Sequence, residues 1–105
     1  VRYRRTRKEK YFIKPIEITF LNSPGKSYST LEINCPDQPG ILACVGKVLA
    51  ENDINLQDAR ITTLGERVED LFFITDGNGA AIEQDELEKK LRSDIETELK
   101  VRLNS

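Results

Sequence analysis

Histidine is absent from the 105 residues, and cysteine occurs only as Cys35 and Cys44. These two shortages exclude a good deal of chemistry. A His-based general base and a His/Cys zinc site are both ruled out. Two cysteines with no other metal-binding partners read instead as small buried thiols in a reducing compartment. The sequence shows no nucleophile–base pair, metal cluster or glycine-rich phosphate loop, so the chain reads as non-catalytic, with no metal and no cofactor of its own. Long hydrophobic runs are also missing. Nothing approaches the ~18 consecutive apolar residues of a membrane helix, so no membrane partner is expected. There is no signal-peptide pattern, and a cytoplasmic location is the default expectation.

Aromatic residues make up 7% of the chain, and Phe72 and Phe73 are neighbours that must face opposite ways on a strand. An RNA-binding sheet needs aromatics alternating on one face to stack bases. Charge argues the same way. Residues 1–10 carry six Lys/Arg against Glu9, or +5, which leaves −7 for the rest of a chain whose net charge is −2. An acidic body excludes nucleic acid as the main partner. The basic head, residues 1–10, reads as a solvated linker remnant, with an interaction arm as the alternative. The chain opens on Val1 rather than Met, which reads as a piece of something longer, with the head at the cut end.

What remains is a charge-rich globular profile, 38% apolar and 32% charged, of a length that suits one domain with a modest core. Tyr11 to Leu21 reads as a strand in which Ile16, Ile18 and Phe20 alternate with polar positions, and Pro15 places its start at an edge. After the turn cluster Asn22–Lys26, Tyr28 to Cys35 is a second strand with Leu31, Ile33 and Cys35 on one face. The short connection predicts an antiparallel hairpin. Pro39 suits the first turn of a helix, with Gln38 or Asp37 as its cap. Ile41, Leu42, Val45, Val48 and Leu49 supply the apolar stripe. Gly46 costs this helix ~1 kcal/mol relative to Ala and suggests close packing on the sheet. Asn52-Asp53 closes the helix, with Asn52 as the residue suited to the left-handed conformation.

Ile54 to Leu64 and Arg67 to Asp76 are two further strands joined at Gly65-Glu66. The last contains Leu71-Phe72-Phe73-Ile74, apolar on both faces. One face therefore meets the helices and the other meets a second domain or a second copy of the chain. Glu69 and Asp70 are adjacent on this strand, point to opposite faces, and read as solvated or salt-bridged surface residues. A second helix runs from about Glu83 to Lys100, with Leu87, Leu91, Ile95 and Leu99 recurring every four residues and Glu and Lys outside. Residues 99–103 read as helix running into a tail, or as a short strand.

The element order β-β-α-β-β-α predicts an α+β, ferredoxin-like sandwich, a four-stranded antiparallel sheet with two helices on one face. Residues 11–105 form this domain, and the N-terminal strand 11–21 closes the sheet beside the strand that precedes the first helix. A strand-to-helix junction leaves backbone N–H groups pointing outward, so Cys35–Leu42 is the best candidate for a small-ligand site.

That junction carries a resemblance. Asp37-Gln38-Pro39-Gly40-Ile41-Leu42 after a strand, then an amphipathic helix, then Ile54-Asn55-Leu56, resembles the ACT domains, modules that bind amino acids and regulate the enzymes carrying them. The resemblance covers roughly Thr30 to Lys100. Asp58–Arg67 and Glu69–Asp76 narrow it to the C-terminal ACT repeat of the bacterial bifunctional uridylyltransferase/uridylyl-removing enzymes that modify the PII nitrogen-signalling protein. The lead-in from Tyr11 to Leu21 is similar to the stretch that joins the two ACT repeats of those enzymes. The resemblance implies a regulatory unit of a larger enzyme with Mg-dependent catalytic domains, L-glutamine as effector, and PII as an indirect partner. An HD-type hydrolase site needs histidines, so this chain would lack the catalytic parts.

The resemblance also implies how a free amino acid would sit. Backbone N–H groups near Gly40, Ile41 and Leu42 would hold the carboxylate, with no side chain on Gly40 to block it. Asp37 would take the ammonium. Asn55, which in ACT dimers can come from a neighbouring subunit, or Gln38 would serve a side-chain amide. The family's loop often has Asn or His near the cap, where this sequence has Cys35 and Asp37. The same residues also make an ordinary capped turn with nothing bound. The sequence therefore supports two readings: an amino-acid sensor, and an interaction module that pairs through its sheet with another ACT repeat, with a second copy or with catalytic domains.

Overall fold

A computed structural model describes residues 16–37 and 39–103. The basic head and the first part of the predicted N-terminal strand, residues 11–15, lie outside the described residues, as does Gln38. The elements are β1 (Glu17–Leu21), β2 (Ser29–Pro36), α1 (Ile41–Glu51), β3 (Asn55–Leu64), β4 (Arg67–Thr75) and α2 (Asp85–Leu103). The sheet order is β1-β2-β4-β3, and every pairing is antiparallel. The N-terminal strand takes the closing position beside β2, with Ile18 opposite Ile33 and Phe20 opposite Leu31. This is the ferredoxin-like arrangement that the element order predicts.

Strict alternation builds the core. On β2, Ser29, Leu31, Ile33 and Cys35 are buried while their neighbours are half-buried, and on β4 Val68, Asp70, Phe72 and Ile74 point the same way. The register sets Leu31 against Phe72, Ile33 against Asp70 and Cys35 against Val68. Ile41, Cys44, Val45, Val48 and Leu49 of α1 and Leu91, Ile95 and Leu99 of α2 complete the cluster. Burying a side chain such as Phe72 contributes roughly 1.5–3 kcal/mol. The outward residues of β4, Leu71 and Phe73, are half-buried; Tyr28 meets the Phe73 ring edge-on and the Arg60 guanidinium lies over it at 5.6 Å.

Polar contacts join the two helices. Asn52 Nδ2 donates to the Val48 carbonyl at 2.9 Å and to Asp94 at 3.3 Å, and Lys90 Nζ donates to Asn52 Oδ1 at 2.7 Å and to Asp94 at 2.9 Å.

Several local expectations are overturned. Helix α1 begins at Ile41, so Pro39 precedes it, and the cap position belongs to Gly40, at φ 82, rather than to Gln38 or Asp37. The Asp37 N–H is drawn instead to the Glu66 carbonyl at 2.8 Å, as an extension of the β2–β4 ladder. At the other end of α1 the left-handed residue is Asp53, at φ 56, while Asn52 keeps φ −107 and spends its side chain on the carbonyl of Val48. A Cβ added at Gly46 would meet nothing within 4 Å, so close packing does not explain that glycine. Helix α2 starts at Asp85, with Asp85, Glu86 and Glu88 favourably placed at the positive end of its dipole, and continues to Leu103, which removes the alternative of a terminal strand. Asp70 is not a surface acid: it is 1% exposed, because it falls in phase with Val68 and Phe72.

Candidate functional site

The junction is built by the end of β2 and the start of α1. Pro36 pairs with Arg67, the Asp37 N–H is held by Glu66, and Gly40 turns the chain into the helix with a left-handed backbone that favours glycine. The Gly40 carbonyl accepts the first helical bond, from the Cys44 N–H at 3.0 Å. The N–H groups of Ile41, Leu42 and Ala43 have no partner inside the helix. Among the described residues no side-chain hydrogen bond caps this end, and α1 has no acidic residue in its first turn. The positive end of its dipole is therefore left to whatever approaches from the loop. Asp37, Gly40 and Leu42 are exposed around it, while the Ile41 side chain is committed to the core.

Asn55 stands elsewhere. It opens β3 opposite Thr75, whereas Pro36 and Leu64 both lie opposite Arg67 at the other end of β4. Strand rise over that length puts roughly 26 Å between the two ends. Within one chain the fold thus brings Asp37, Gly40, Ile41 and Leu42 together and leaves Asn55 out. The Asn55 amide donates to the Asp76 carbonyl at 3.2 Å, and Asn55 lines a shallow cleft of about 570 Å³ with Asp53, Ile54 and Asn78.

Under the junction lies an acid that sequence reasoning assigned to the surface. Asp70 sits on the inner face of β4 between Ile33 and Ile61, and its Oδ1 is buried without a hydrogen-bond partner. Burial raises its pKa above the ordinary carboxylate range, and the nearby Asp37 charge raises it further. The Cys35 thiol is pushed up to about 11, first by burial and then by Asp70, with Arg67 the one group that lowers it. Cys35, Asp37 and Asp70 therefore share an acid-rich corner. The signal for Asp70 was its parity with Val68, Phe72 and Ile74.

No group of three or more His, Cys, Asp or Glu among the described residues is arranged to hold a metal ion. No helix among them is long and apolar enough to cross a membrane.

Comparison with known proteins gives this geometry its relatives. The chain is 43% identical over 93 residues to a bifunctional uridylyltransferase/uridylyl-removing enzyme of Pseudomonas putida (strain W619), covering 89% of this chain and 10% of the relative. The enzyme of the same description from Pseudomonas entomophila (strain L48) is 45% identical over 89 residues, covering 85% of this chain and 10% of the relative. That from Pseudomonas syringae pv. syringae (strain B728a) is 41% identical over 101 residues, covering 96% and 11%. The chain thus spans about a tenth of the length of the curated relatives it matches. The family model described as the ACT domain matches residues 29–92, from the first residue of β2 into α2. The sheet order, the strand-to-helix junction and this match agree: the chain belongs to the ACT domain family.

Proposed function

We propose that this chain is the amino-acid-sensing ACT unit of a bifunctional uridylyltransferase/uridylyl-removing enzyme, with L-glutamine as effector and PII as the protein whose modification it regulates. The observation that carries the reading is the uncapped start of α1 behind the left-handed Gly40, with Asp37 beside it. A zwitterion needs fixed donors for its carboxylate and an acceptor for its ammonium. The N–H groups of Ile41 and Leu42 supply the first, and Asp37 supplies the second. Asn55 joins such a site from the neighbouring subunit of a dimer, since its own chain holds it at the far end of the sheet. Gln38 belongs to the same loop by sequence. The activity of the relatives supports the choice of parent enzyme. Titration calorimetry with L-glutamine and NMR shift mapping test the reading: heat and shifts at Asp37–Leu42 are expected, and neither appearing overturns it.

A second reading is a pairing module without a ligand. Leu56, Ile61 and Leu64 are 48, 47 and 55% exposed along the edge strand β3, Leu64 on the outer face with the half-buried Leu71 and Phe73, and Leu56 and Ile61 on the opposite face, across from Ile74 and Asp70. An exposed apolar edge strand is a template for another chain. Sedimentation is expected to show a dimer that Leu64→Lys and Ile61→Lys weaken. A monomer at high concentration would remove this reading.

A further inference from the structure

We propose that β3 pairs with β3 of a second copy in one register, with Ala59 on the two-fold axis and two reciprocal Asp58–Arg60 ion pairs across it. This register rests on the pairing reading above and names the residues that select it.

β3 is the last strand of the sheet and is paired on one edge, to β4. It is ten residues long, and Ala59 alone among them is not fully exposed. Edge strands are commonly protected by Lys or Pro. β3 has neither, and its two charged residues, Asp58 and Arg60, are of opposite sign. Both stand on the outer face, opposite Phe73 and Leu71. The Asp58 carboxylate holds the neighbouring Ala59 N–H at 2.9 Å, and the Arg60 guanidinium lies over the Phe73 ring. Among the described residues neither belongs to an ion pair. Leu56, Ala59 and Ile61 share the inner face, opposite Ile74, Phe72 and Asp70, and Gln57 is the extra residue of a bulge between them.

Two identical antiparallel strands match face to face only when the two-fold axis passes through a residue. The registers therefore differ in which residue lies on that axis. Asp58 or Arg60 on the axis sets like charges opposite each other, which destabilises a pair of strands. Ile61 or Thr62 on the axis leaves no opposite charge across from either residue. Ala59 on the axis sets Asp58 against Arg60 of the other copy, twice, on the outer face. Counted past Gln57, it also sets Ile61 against Leu56 of the other copy, twice, on the inner face. These are two apolar side chains that each chain leaves 47 and 48% exposed. One register thus satisfies both the charges and the exposed apolar residues of the edge. It also sets Asn55 of the second copy opposite Thr62, towards the end of the sheet where Pro36 and Leu64 flank Arg67.

Single cysteines placed on β3 test the register. Facing residues of an antiparallel pair are about 4.5–5.5 Å apart at Cα, within the range of a disulfide. Ala59→Cys should therefore give a covalent dimer under mild oxidation, with the buried Cys35 and Cys44 left in place. Ile61→Cys alone should stay unlinked, and should link to Leu56→Cys when the two chains are mixed. In sedimentation, Asp58→Arg and Arg60→Asp should each weaken the dimer at least tenfold, and the double variant should restore it. An Ile61→Cys chain that links to itself, an Ala59→Cys chain that stays unlinked while dimeric, or charge reversals that leave the dimer unchanged overturn this register and leave the pairing reading intact. A wild-type chain that stays monomeric at high concentration overturns both.

Discussion

Ser29 and Ile82 stand 53 residues apart, and the Ser29 hydroxyl accepts the Ile82 N–H at 2.8 Å inside the core. Asn22 completes the arrangement: Ser29 Oγ donates to its Oδ1 at 2.5 Å, and its Nδ2 donates to the Ile82 carbonyl at 3.0 Å. One small polar ring fastens the β1–β2 connection to the segment that leads into α2. Ser29 is fully buried, so water cannot take its place.

Ser29→Ala should therefore destabilise the domain by more than the loss of one methyl-sized group suggests. It leaves the Ile82 N–H buried without an acceptor, a penalty of about 1–3 kcal/mol. Urea unfolding should show a lower midpoint at unchanged slope, and heating should show a melting point lower by roughly 5 °C or more. An unchanged midpoint would mean that the ring contributes nothing.

The cysteines lead to a prediction about reactivity. Cys35 and Cys44 are buried, and with its pKa pushed to about 11 Cys35 is nearly all thiol at neutral pH. The thiolate is the reactive form, and at pH 8 only about one part in a thousand of Cys35 would be ionised. A thiol reagent should therefore label the native chain slowly and label both residues rapidly in denaturant, with the native rate following unfolding. Fast labelling of Cys35 in the native chain would contradict the burial described here.

The fold was legible because its strands alternate cleanly. Leu31, Ile33 and Cys35 on β2, and the four-residue spacing of Leu87, Leu91, Ile95 and Leu99, depend on a face shared with the nearest neighbours in sequence. The start of α1 was harder to place. Pro39 fits a first helical turn as well as it fits the turn before one, and only the left-handed Gly40 decides between them. Asp70 shows a different limit. Its parity with Phe72 was readable, but its charge favoured a surface assignment, since burial of an unpaired acid is rare. The separation of Asn55 from the junction follows from strand register, which no local pattern reveals.

Two aspartates should give the stability a pH dependence of opposite signs. The Asp70 pKa is raised, by burial first and by Asp37 second. The folded state therefore resists ionising it, and stability falls as pH rises above the ordinary carboxylate value towards and through the raised one. The Asp94 pKa is lowered, by the hydrogen bond from Lys90 first and that from Asn52 second. Its contribution is present above the unfolded value and is lost as pH falls through the lowered one. Asp70→Asn should therefore be more stable than the wild-type chain at about pH 8, by on the order of 1 kcal/mol, and the gap should close as pH falls towards 4. Asp94→Asn should be less stable at neutral pH, with a gap that closes only under more acid conditions. Urea midpoints measured at intervals across this range check both. A Asp70→Asn gap that stays constant with pH, or that has the opposite sign at pH 8, would show that Asp70 is not the unpartnered acid in this core.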